Sequence, residues 1–316
     1  MERYQIIEYI KHMKLIESSV EIIPQQPGLE GIYKQIELAG RTAYRSEDKI
    51  TEGSAEKFVK MLETRKHGSV LEHGTVYLKL NSHGNLIIMN KAIWYQNNPY
   101  SKVRSDEEGN VYITTNYRVL YENNKLDDLQ YICEPHSLHE KRISVRFICS
   151  RSIAQEITRH RVNSVTMESQ RYCGYHKSKF NGEITFIIPQ WVKNLRNHIA
   201  NCTDSLTGES QQYLLSMDLG DAIHELCVLD RAINCWHSSL KKCESDYMFL
   251  ITDQELKPEE ARSILPNDCK TELVVTGFES DWYHFLELRT AQAAHPDIRI
   301  LANNLKKQFN SGGLCL

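Results

Sequence analysis

Hydrophobic residues occupy every second position in several short stretches of the chain, a spacing that predicts β-strands with one buried face. The clearest stretch runs from Ile143 through Val145 and Phe147 to Cys149. Further strands are predicted at residues 20–24, 76–80, 111–114 and 184–188. Pro189 follows the last of these and ends it, because proline cannot donate a ladder hydrogen bond.

Other segments place apolar residues three or four positions apart, which is the spacing of an amphipathic helix. Helices are predicted over residues 28–44, 54–67 and 153–161, as one or two helices over 209–242, and from Pro258 and Pro296 onward. Ser152 and Gln155 form a capping-box pattern for the helix at 153–161. Gly68 is a natural C-cap for the helix at 54–67. The last helix carries an apolar stripe made of Ile298, Leu301, Ala302, Leu305 and Phe309.

Together these elements predict a mixed α/β (α+β) fold in which helices cover a mainly antiparallel sheet. A chain of 316 residues with 41% hydrophobic residues can bury a large core. No internal repeat or low-complexity linker divides it. We therefore expect a single domain that spans residues 1–316.

Composition narrows the class of protein. A net charge of -3 argues against a general nucleic-acid coat, which needs a broad basic excess. No apolar run approaches the roughly 20 residues that span a bilayer, and the N-terminus does not resemble a signal peptide. The nine cysteines contain no CxxC pair, which favours reduced thiols over a disulfide framework or a zinc site. We expect a cytoplasmic, soluble protein without a metal, a membrane or a nucleic-acid partner.

One cluster of basic residues indicates a binding site for an anion. The sequence Arg-His-Arg at 159–161 is followed after seven residues by Ser169, and then by Arg171 and Tyr172. Such crowded cations repel one another unless an anion lies between them. The cluster therefore predicts a phosphate site, and the alternative is a solvated helix end whose cations complement the helix dipole.

This pattern resembles the signature of the flavin-dependent thymidylate synthases, a family that methylates dUMP with reduced flavin. Three further similar segments follow the family's order: His-Gly-Ser-Val-Leu-Glu-His at 67–73, Ala-Arg-Ser-Ile-Leu-Pro-Asn at 261–267 with Val-Val-Thr-Gly at 274–277, and His-Phe-Leu-Glu-Leu-Arg at 284–289 with His-Pro-Asp-Ile-Arg at 295–299. Weaker similarities lie at 39–44 and 184–189. The family usually has a shorter connection between the strand after Glu72-His73 and the helix that carries Arg-His-Arg. Residues 90–140 are therefore predicted to be an insertion.

The resemblance implies both a fold and a reaction. The fold is the antiparallel, helix-covered fold of that family. The reaction is the reductive methylation of dUMP to dTMP, with 5,10-methylenetetrahydrofolate as carbon donor and NADPH as reductant through FAD. The family's enzymes are homotetramers whose subunits share their active sites, so the same assembly is expected here.

The resemblance also implies roles for individual residues. Those expected to bind dUMP are Glu156, Arg159, Met167, Glu168, Ser169, Gln170, Arg171, Arg262 and Arg289. Those expected to bind FAD are His67, Ser69, Glu72, Arg159, His160, Arg161 and His284. Arg289 is the predicted catalytic residue, because a guanidinium that faces the uracil carbonyls would stabilise negative charge developing on the ring. Arg171 suits a bidentate contact with the phosphate.

Several of these residues have a structural alternative. The stem of Arg289 could merely cover the apolar face of its own helix. Glu156 and His160 are four residues apart and could form a simple surface pair. His67 and His73 could each be an ordinary, partly buried histidine.

Other interpretations concern the chemistry. Ser169 is assigned to positioning rather than to nucleophilic attack, because no base is evident beside it. Phe278 and Ser280 stand where relatives often carry Asn and Arg, so contacts with the adenine half of FAD are expected to differ. Two rival functions are a non-catalytic nucleotide- or RNA-binding protein and an enzyme that methylates uracil within RNA. The modest net charge favours the free mononucleotide as substrate.

Overall fold

The computed structural model describes residues 13–81, 83–171, 174–175, 183–201, 212 and 216–312. Its strands are β1 (Lys14–Ile16), β2 (Ser19–Ile23), β3 (Thr75–Asn81), β4 (Lys102–Ser105), β5 (Asn110–Asn116), β6 (Arg142–Ser150), β7 (Ser164–Met167), β8 (Thr185–Ile187) and β9 (Lys270–Phe278). Its helices are α1 (Gly28–Tyr44), α2 (Ser54–Thr64), α3 (Gly68–Leu71), α4 (Leu86–Gln96), α5 (Tyr117–Glu122), α6 (Arg151–Ile157), α7 (Gln190–Asn201), α8 (Leu219–Leu229), α9 (Arg231–Thr252), α10 (Pro258–Ala261), α11 (Glu279–Thr290) and α12 (Pro296–Ser311). Residues 1–12 and Tyr172 lie outside the described residues.

The sheets are mainly antiparallel, which confirms the predicted fold class. Four strands pair antiparallel in the order β2-β6-β9-β7, and three more pair antiparallel in the order β3-β5-β4. The short strands β1 and β8 form a separate parallel pair. Helices pack against the two larger sheets, so the fold is α+β.

Two apolar cores support these sheets. In the first, Phe147 of β6 packs with Trp282 and Phe285 of α11 and with Phe309 of α12, all of them buried. The second lies between β3 and β5 and the helices α1 and α2. The predicted apolar stripe of α12 is buried in the first core, which confirms it.

The helix before Arg159 begins and ends earlier than the sequence predicts. Its N-cap is Ser150, whose Oγ accepts a hydrogen bond from the Ile153 amide, and not Ser152. The helix ends at Ile157, because the amides of Arg159 and His160 bond to carbonyls only three residues back. Residues 159–161 therefore lie in a tight turn between α6 and β7. The predicted helix over 153–161 is wrong in its last turn.

The predicted C-cap at Gly68 is also wrong. Helix α2 ends at Thr64, Lys66 adopts a left-handed conformation with φ of 56°, and the His67 amide bonds back to the Leu62 carbonyl. This is a Schellman-type ending with lysine in the position that glycine usually takes. Gly68 instead begins α3.

The segment at 90–140 contains more regular structure than its irregular sequence pattern suggests. Strands β4 and β5 extend the sheet that β3 begins, with Thr75 opposite Asn116 and Asn81 opposite Asn110. Helix α4 escaped prediction because apolar residues surround it: Ile88 faces the core, whereas Leu86 and Ile87 are exposed. The segment therefore completes a sheet that β3 alone could not form.

The described residues contain neither a membrane-spanning helix nor a metal-binding cluster. None of their helices combines the length and the apolar composition needed to cross a membrane. Within the same ranges, no three His, Cys, Asp or Glu side chains gather closely enough to hold a metal ion.

Candidate active site

Arg289, in the last turn of α11, reaches across to the end of α6. Its Nη1 donates to Glu156 Oε2 at 2.6 Å, its Nη2 to the Glu156 carbonyl at 3.0 Å, and its Nε to His160 Nε2 at 3.1 Å. The side chain is only 18% exposed. The alternative that Arg289 merely covers an apolar face is therefore wrong, as is the alternative of a Glu156–His160 pair.

His160 is held as a neutral ring. Burial, reinforced by the nearby charges of Arg289 and His284, lowers the pKa of His160 to about 4. Since Nε2 accepts a hydrogen bond from Arg289, the proton of the neutral ring resides on Nδ1. The ring also packs edge-on against Phe285, with centroids 4.9 Å apart. His160 thus orients the guanidinium without adding a second positive charge.

A cleft of about 280 Å³ opens beside this group. Its lining brings together residues from the Arg-His-Arg turn and from α11: Arg159, His160, Arg161, Val162, Asn163, Asp281, His284, Leu288 and Arg289. Arg159, Arg161 and His284 are exposed to solvent. Four of the predicted FAD residues and the predicted catalytic arginine therefore share one cleft.

The predicted phosphate loop lies at the other end of β7. The Ser169 amide donates to the Ala43 carbonyl at 3.0 Å, which attaches the loop to the end of α1. Gln170 is buried, and its Nε2 donates to the Tyr175 hydroxyl at 3.5 Å. Arg171 is exposed. The four residues of β7 separate this loop from the cleft by about 13 Å at the usual rise per residue.

Glu168, predicted to bind dUMP, points into a buried cluster of charges. Lys270 Nζ lies 3.0 Å from Glu168 Oε2 and also contacts Glu272. Arg45, directly after α1, and Arg146 of β6 also contact Glu272. Burial alone would raise the pKa of Glu272, but Lys270, Arg146 and Arg45 lower it to about 2. This charge cluster anchors the strand that leads into the phosphate loop.

Met167 ends β7 next to the phosphate loop, and Arg262 lies in the connection between α10 and β9. Met167 is half-buried and packs against the first core. Arg262 is half-buried in a short turn after α10, and the Asn267 carbonyl further along accepts a hydrogen bond from the Ser152 amide at the start of α6. The predicted dUMP residues thus form two groups in one chain, one at each end of β7.

Helix α3 packs against β7, and this helix with its two flanking residues contains the remaining predicted FAD residues. His67 and Ser69 are exposed. His67 lines a second cleft of about 540 Å³ with Arg41, Arg45, Lys49, Arg65 and other residues near the phosphate loop. At the other end of α3, the Glu72 carbonyl accepts a hydrogen bond from Arg142, which also bonds to Ser164 at the start of β7. The segment from His67 to Glu72 therefore runs from the second cleft toward the start of β7.

Two sequence alternatives are decided by burial. His73 is fully buried, with its ring nitrogens 2.8 Å from Thr276 Oγ1 and 2.9 Å from Thr166 Oγ1, so the interpretation as a structural histidine is confirmed. His67 is exposed, so the same interpretation is wrong for it. Phe278 is buried, and Ser280 Oγ donates to Glu140 Oε1 at 2.5 Å.

Sequence reasoning missed Arg142 and Arg118. Arg142 is buried, burial lowers its pKa to about 10, and its Nε has no hydrogen-bond acceptor among the described residues. Arg118 pairs with Glu72 at 2.6 Å and with Glu122 at 2.8 Å. The only sequence signal was the four-residue spacing of Arg118 and Glu122, because nothing local connects either arginine to α3.

Comparison with known proteins identifies a family model and several similar proteins. A family model described as thymidylate synthase complementing protein matches residues 136–311, more than half of the chain. The flavin-dependent thymidylate synthase of Pyrococcus furiosus is 27% identical over 154 residues, which are 49% of this chain and 48% of that protein. The enzyme of the same name from Mycobacterium tuberculosis is 25% identical over 163 residues, or 51% and 54% of the two chains.

The chain thus spans about half the length of the curated relatives it matches. Among solved structures, the UMP/dUMP methylase PolB from Streptomyces cacaoi, bound with 5-Br UMP, is 15% identical and covers 95% of this chain and 92% of its own, with a TM-score of 0.41. The family match includes the Arg-His-Arg turn, the phosphate loop, Arg262, His284 and Arg289. The chain belongs to the thymidylate synthase complementing protein family.

Proposed function

We propose that the protein is a flavin-dependent thymidylate synthase that methylates dUMP to dTMP, with 5,10-methylenetetrahydrofolate as carbon donor and NADPH as reductant. The observation that carries this proposal is the fixed position of Arg289 between Glu156 and His160 in a cleft with Arg159 and Arg161. The family match and the names of the curated relatives support it.

Arg289 has the hydrogen-bonding capacity that uracil activation requires. A guanidinium carries five N–H donors, and Glu156 and His160 occupy three of them. The two remaining donors would bind the uracil carbonyls and stabilise the negative charge that develops when C5 becomes nucleophilic. Glu156 and His160 hold the guanidinium in place beforehand, so little reorganisation is needed during the reaction.

The residues present fit FAD. The larger cleft carries Arg41, Arg45, Lys49, Arg65 and His67 on its walls with Asp48 as the one carboxylate in its lining, and Arg159 and Arg161 are exposed in the smaller cleft. Arg41 and Arg45 already pair with Glu37 and Glu272, so the cations of these clefts that would meet a pyrophosphate are Lys49, Arg65, Arg159 and Arg161. His67, Ser69, Glu72, Arg159, His160, Arg161 and His284 would hold the cofactor. When bound, FAD supplies the hydride-transfer chemistry that amino-acid side chains lack.

The phosphate of dUMP would be held by the Ser169–Arg171 loop together with Arg262. The loop is tied to α1 through Ala43 and to β9 through the Glu168–Lys270 pair. Because the loop and Arg289 lie at opposite ends of β7, we infer that each dUMP is bound by the loop of one subunit and the Arg289 cleft of another. Sharing of this kind needs at least two subunits, and the homotetramer that the family resemblance implies would provide them.

An anaerobic absorption experiment tests the proposed function. Purified protein is expected to bind FAD, and NADPH should bleach the flavin band. Addition of dUMP and methylenetetrahydrofolate should then yield dTMP, quantified by chromatography. Excess tRNA should not compete with dUMP, and binding should not fall steeply with salt as a polymer-phosphate interface would. Failure to bind FAD, or methylation of tRNA in place of dUMP, would refute the proposal.

A further inference from the structure

Helix α5, within the 90–140 segment, forms hydrogen bonds to both ends of the turn that connects α2 to β3. The Tyr117 amide donates to the Gly74 carbonyl at 2.9 Å, and the Tyr117 hydroxyl donates to Glu63 Oε1 at 2.8 Å. The Tyr121 hydroxyl donates to the Glu63 carbonyl at 3.3 Å. Contacts at Glu63 and Gly74 bracket residues 67–72 on both sides, so α5 holds the ends of that turn.

Arg118 contacts the bracketed residues themselves. Its Nη1 lies 2.6 Å from Glu72 Oε1, and its Nε lies 2.8 Å from Glu122 Oε1. The Arg118 and Glu122 side chains both lie against Gly68. A Cβ added to Gly68 would be 2.8 Å from Glu122 Oε1 and 3.0 Å from Arg118 Nε. Arg118 therefore contacts α3 at its first residue by packing and just beyond its last residue by a charge-assisted hydrogen bond.

From these contacts we infer that Arg118 is a positioning residue for cofactor binding, acting through Glu72 and the orientation of α3. This inference rests on the proposed function, because it takes the flavin to be the ligand of α3. The reasoning is geometric: a helix of four residues has little stability of its own, so its direction depends on what holds its ends. Arg118 fixes one Glu72 oxygen and leaves the other to accept a hydrogen bond from the ligand.

This assignment gives the 90–140 segment a role in the site. Strand β5 pairs with β3 along its whole length, so α5 begins beside the turn that connects α2 to β3. The Glu72 carbonyl is held from the other side by Arg142, which also contacts Ser164. Arg118 and Arg142 together connect the segment to the start of β7 and so to the cleft that holds Arg289.

The test is a titration of the full-length protein with FAD, followed by flavin fluorescence and accompanied by thermal melts without ligand. Arg118→Ala is expected to raise the Kd for FAD about fivefold, the upper range for a partly exposed ion pair, with little change in Tm. Arg118→Lys should recover part of the affinity. Arg104→Ala is the matched control, since Arg104 is an exposed arginine on β4 of the same segment; its Kd should equal that of the wild type.

Two further variants separate positioning from general stability. Gly68→Ala keeps every charge but pushes Arg118 and Glu122 aside, so it should weaken FAD binding as Arg118→Ala does. In a Glu72→Ala background, which removes the oxygen that Arg118 contacts, Arg118→Ala should weaken binding much less than it does in the wild type. The inference is overturned if Arg118→Ala binds FAD like Arg104→Ala, or if its effect is undiminished when Glu72 is absent. If the wild type itself does not bind FAD, that result refutes the proposed function rather than the role of Arg118.

Discussion

Arg289 and Glu156, 133 residues apart in sequence, form a two-point contact in which one guanidinium binds both the carboxylate and the backbone carbonyl of the same residue. This geometry ties the last turn of α11 to the last turn of α6. The Glu156 carbonyl also accepts a hydrogen bond from the Arg159 amide, so Arg289 is a second donor to a carbonyl in the last turn of α6. The predicted catalytic residue therefore has a structural task as well.

Replacement of Arg289 is expected to abolish most activity. Arg289→Ala removes the donors that stabilise charge on the uracil ring, so kcat should fall by roughly 10² to 10³. Arg289→Lys should rescue little, because an ammonium cannot bind Glu156, His160 and uracil at once. Rates of dTMP formation measure the effect. Arg231→Ala, on the exposed start of α9, is the control that should keep wild-type activity, and comparable rates for the two alanine variants would contradict the role of Arg289.

His73 should make the protein less stable in acid. Burial, with a smaller effect of Arg142, lowers the pKa of His73 to about 3, so between pH 6.5 and 3 the unfolded chain binds a proton that the folded chain does not. The free energy of unfolding should then fall by about 2 kcal/mol between pH 7 and pH 5 because of this one residue. Urea denaturation of the wild type and of His73→Asn at both pH values measures the difference. An equal pH dependence in the two proteins would show that His73 does not contribute.

The buried charge cluster should be sensitive to loss of its lysine. Lys270→Ala leaves Glu168 without its nearest cation in a buried site, which should destabilise the fold by about 3 kcal/mol. The double variant Lys270→Met with Glu168→Leu removes both charges and should be considerably more stable than the single variant. Urea denaturation provides both values. If the double variant proves no more stable, the single variant's loss came from packing rather than from an unpaired carboxylate.

The strands and the last helix could be predicted closely because their signals are local. The alternation from Ile143 to Cys149 lies within β6, and the stripe of α12 is buried as its spacing requires. The turn at 159–161 was missed because a helix end depends on where the chain must go next, and here it turns to pair β7 with β9. The spacing of hydrophobic residues within the helix carries no information about that later pairing.

The site residues illustrate a different limit. The spacing of Glu156 and His160 suggested that they pair with each other, whereas each pairs with Arg289, because the register of β6 against β9 brings α11 beside α6. Arg118 and Glu72 meet for a similar reason, through the pairing of β3 with β5. Contacts across sheets of this kind are set by register, which the sequence of one chain does not display.

Sharing of sites between subunits leads to a complementation experiment. Arg289→Ala and Arg171→Ala should each be inactive alone, because every site needs one residue from each end of β7. If the two ends that serve one dUMP come from different chains, an equal mixture of both variants in one tetramer contains sites with both residues intact. Random assembly makes these about a quarter of all sites. Co-expression with two affinity tags, followed by assay of the doubly purified tetramers, should therefore recover about a quarter of wild-type activity. A mixture that stays inactive would mean that each chain builds its site from its own residues, since every defect would then remain within its own site.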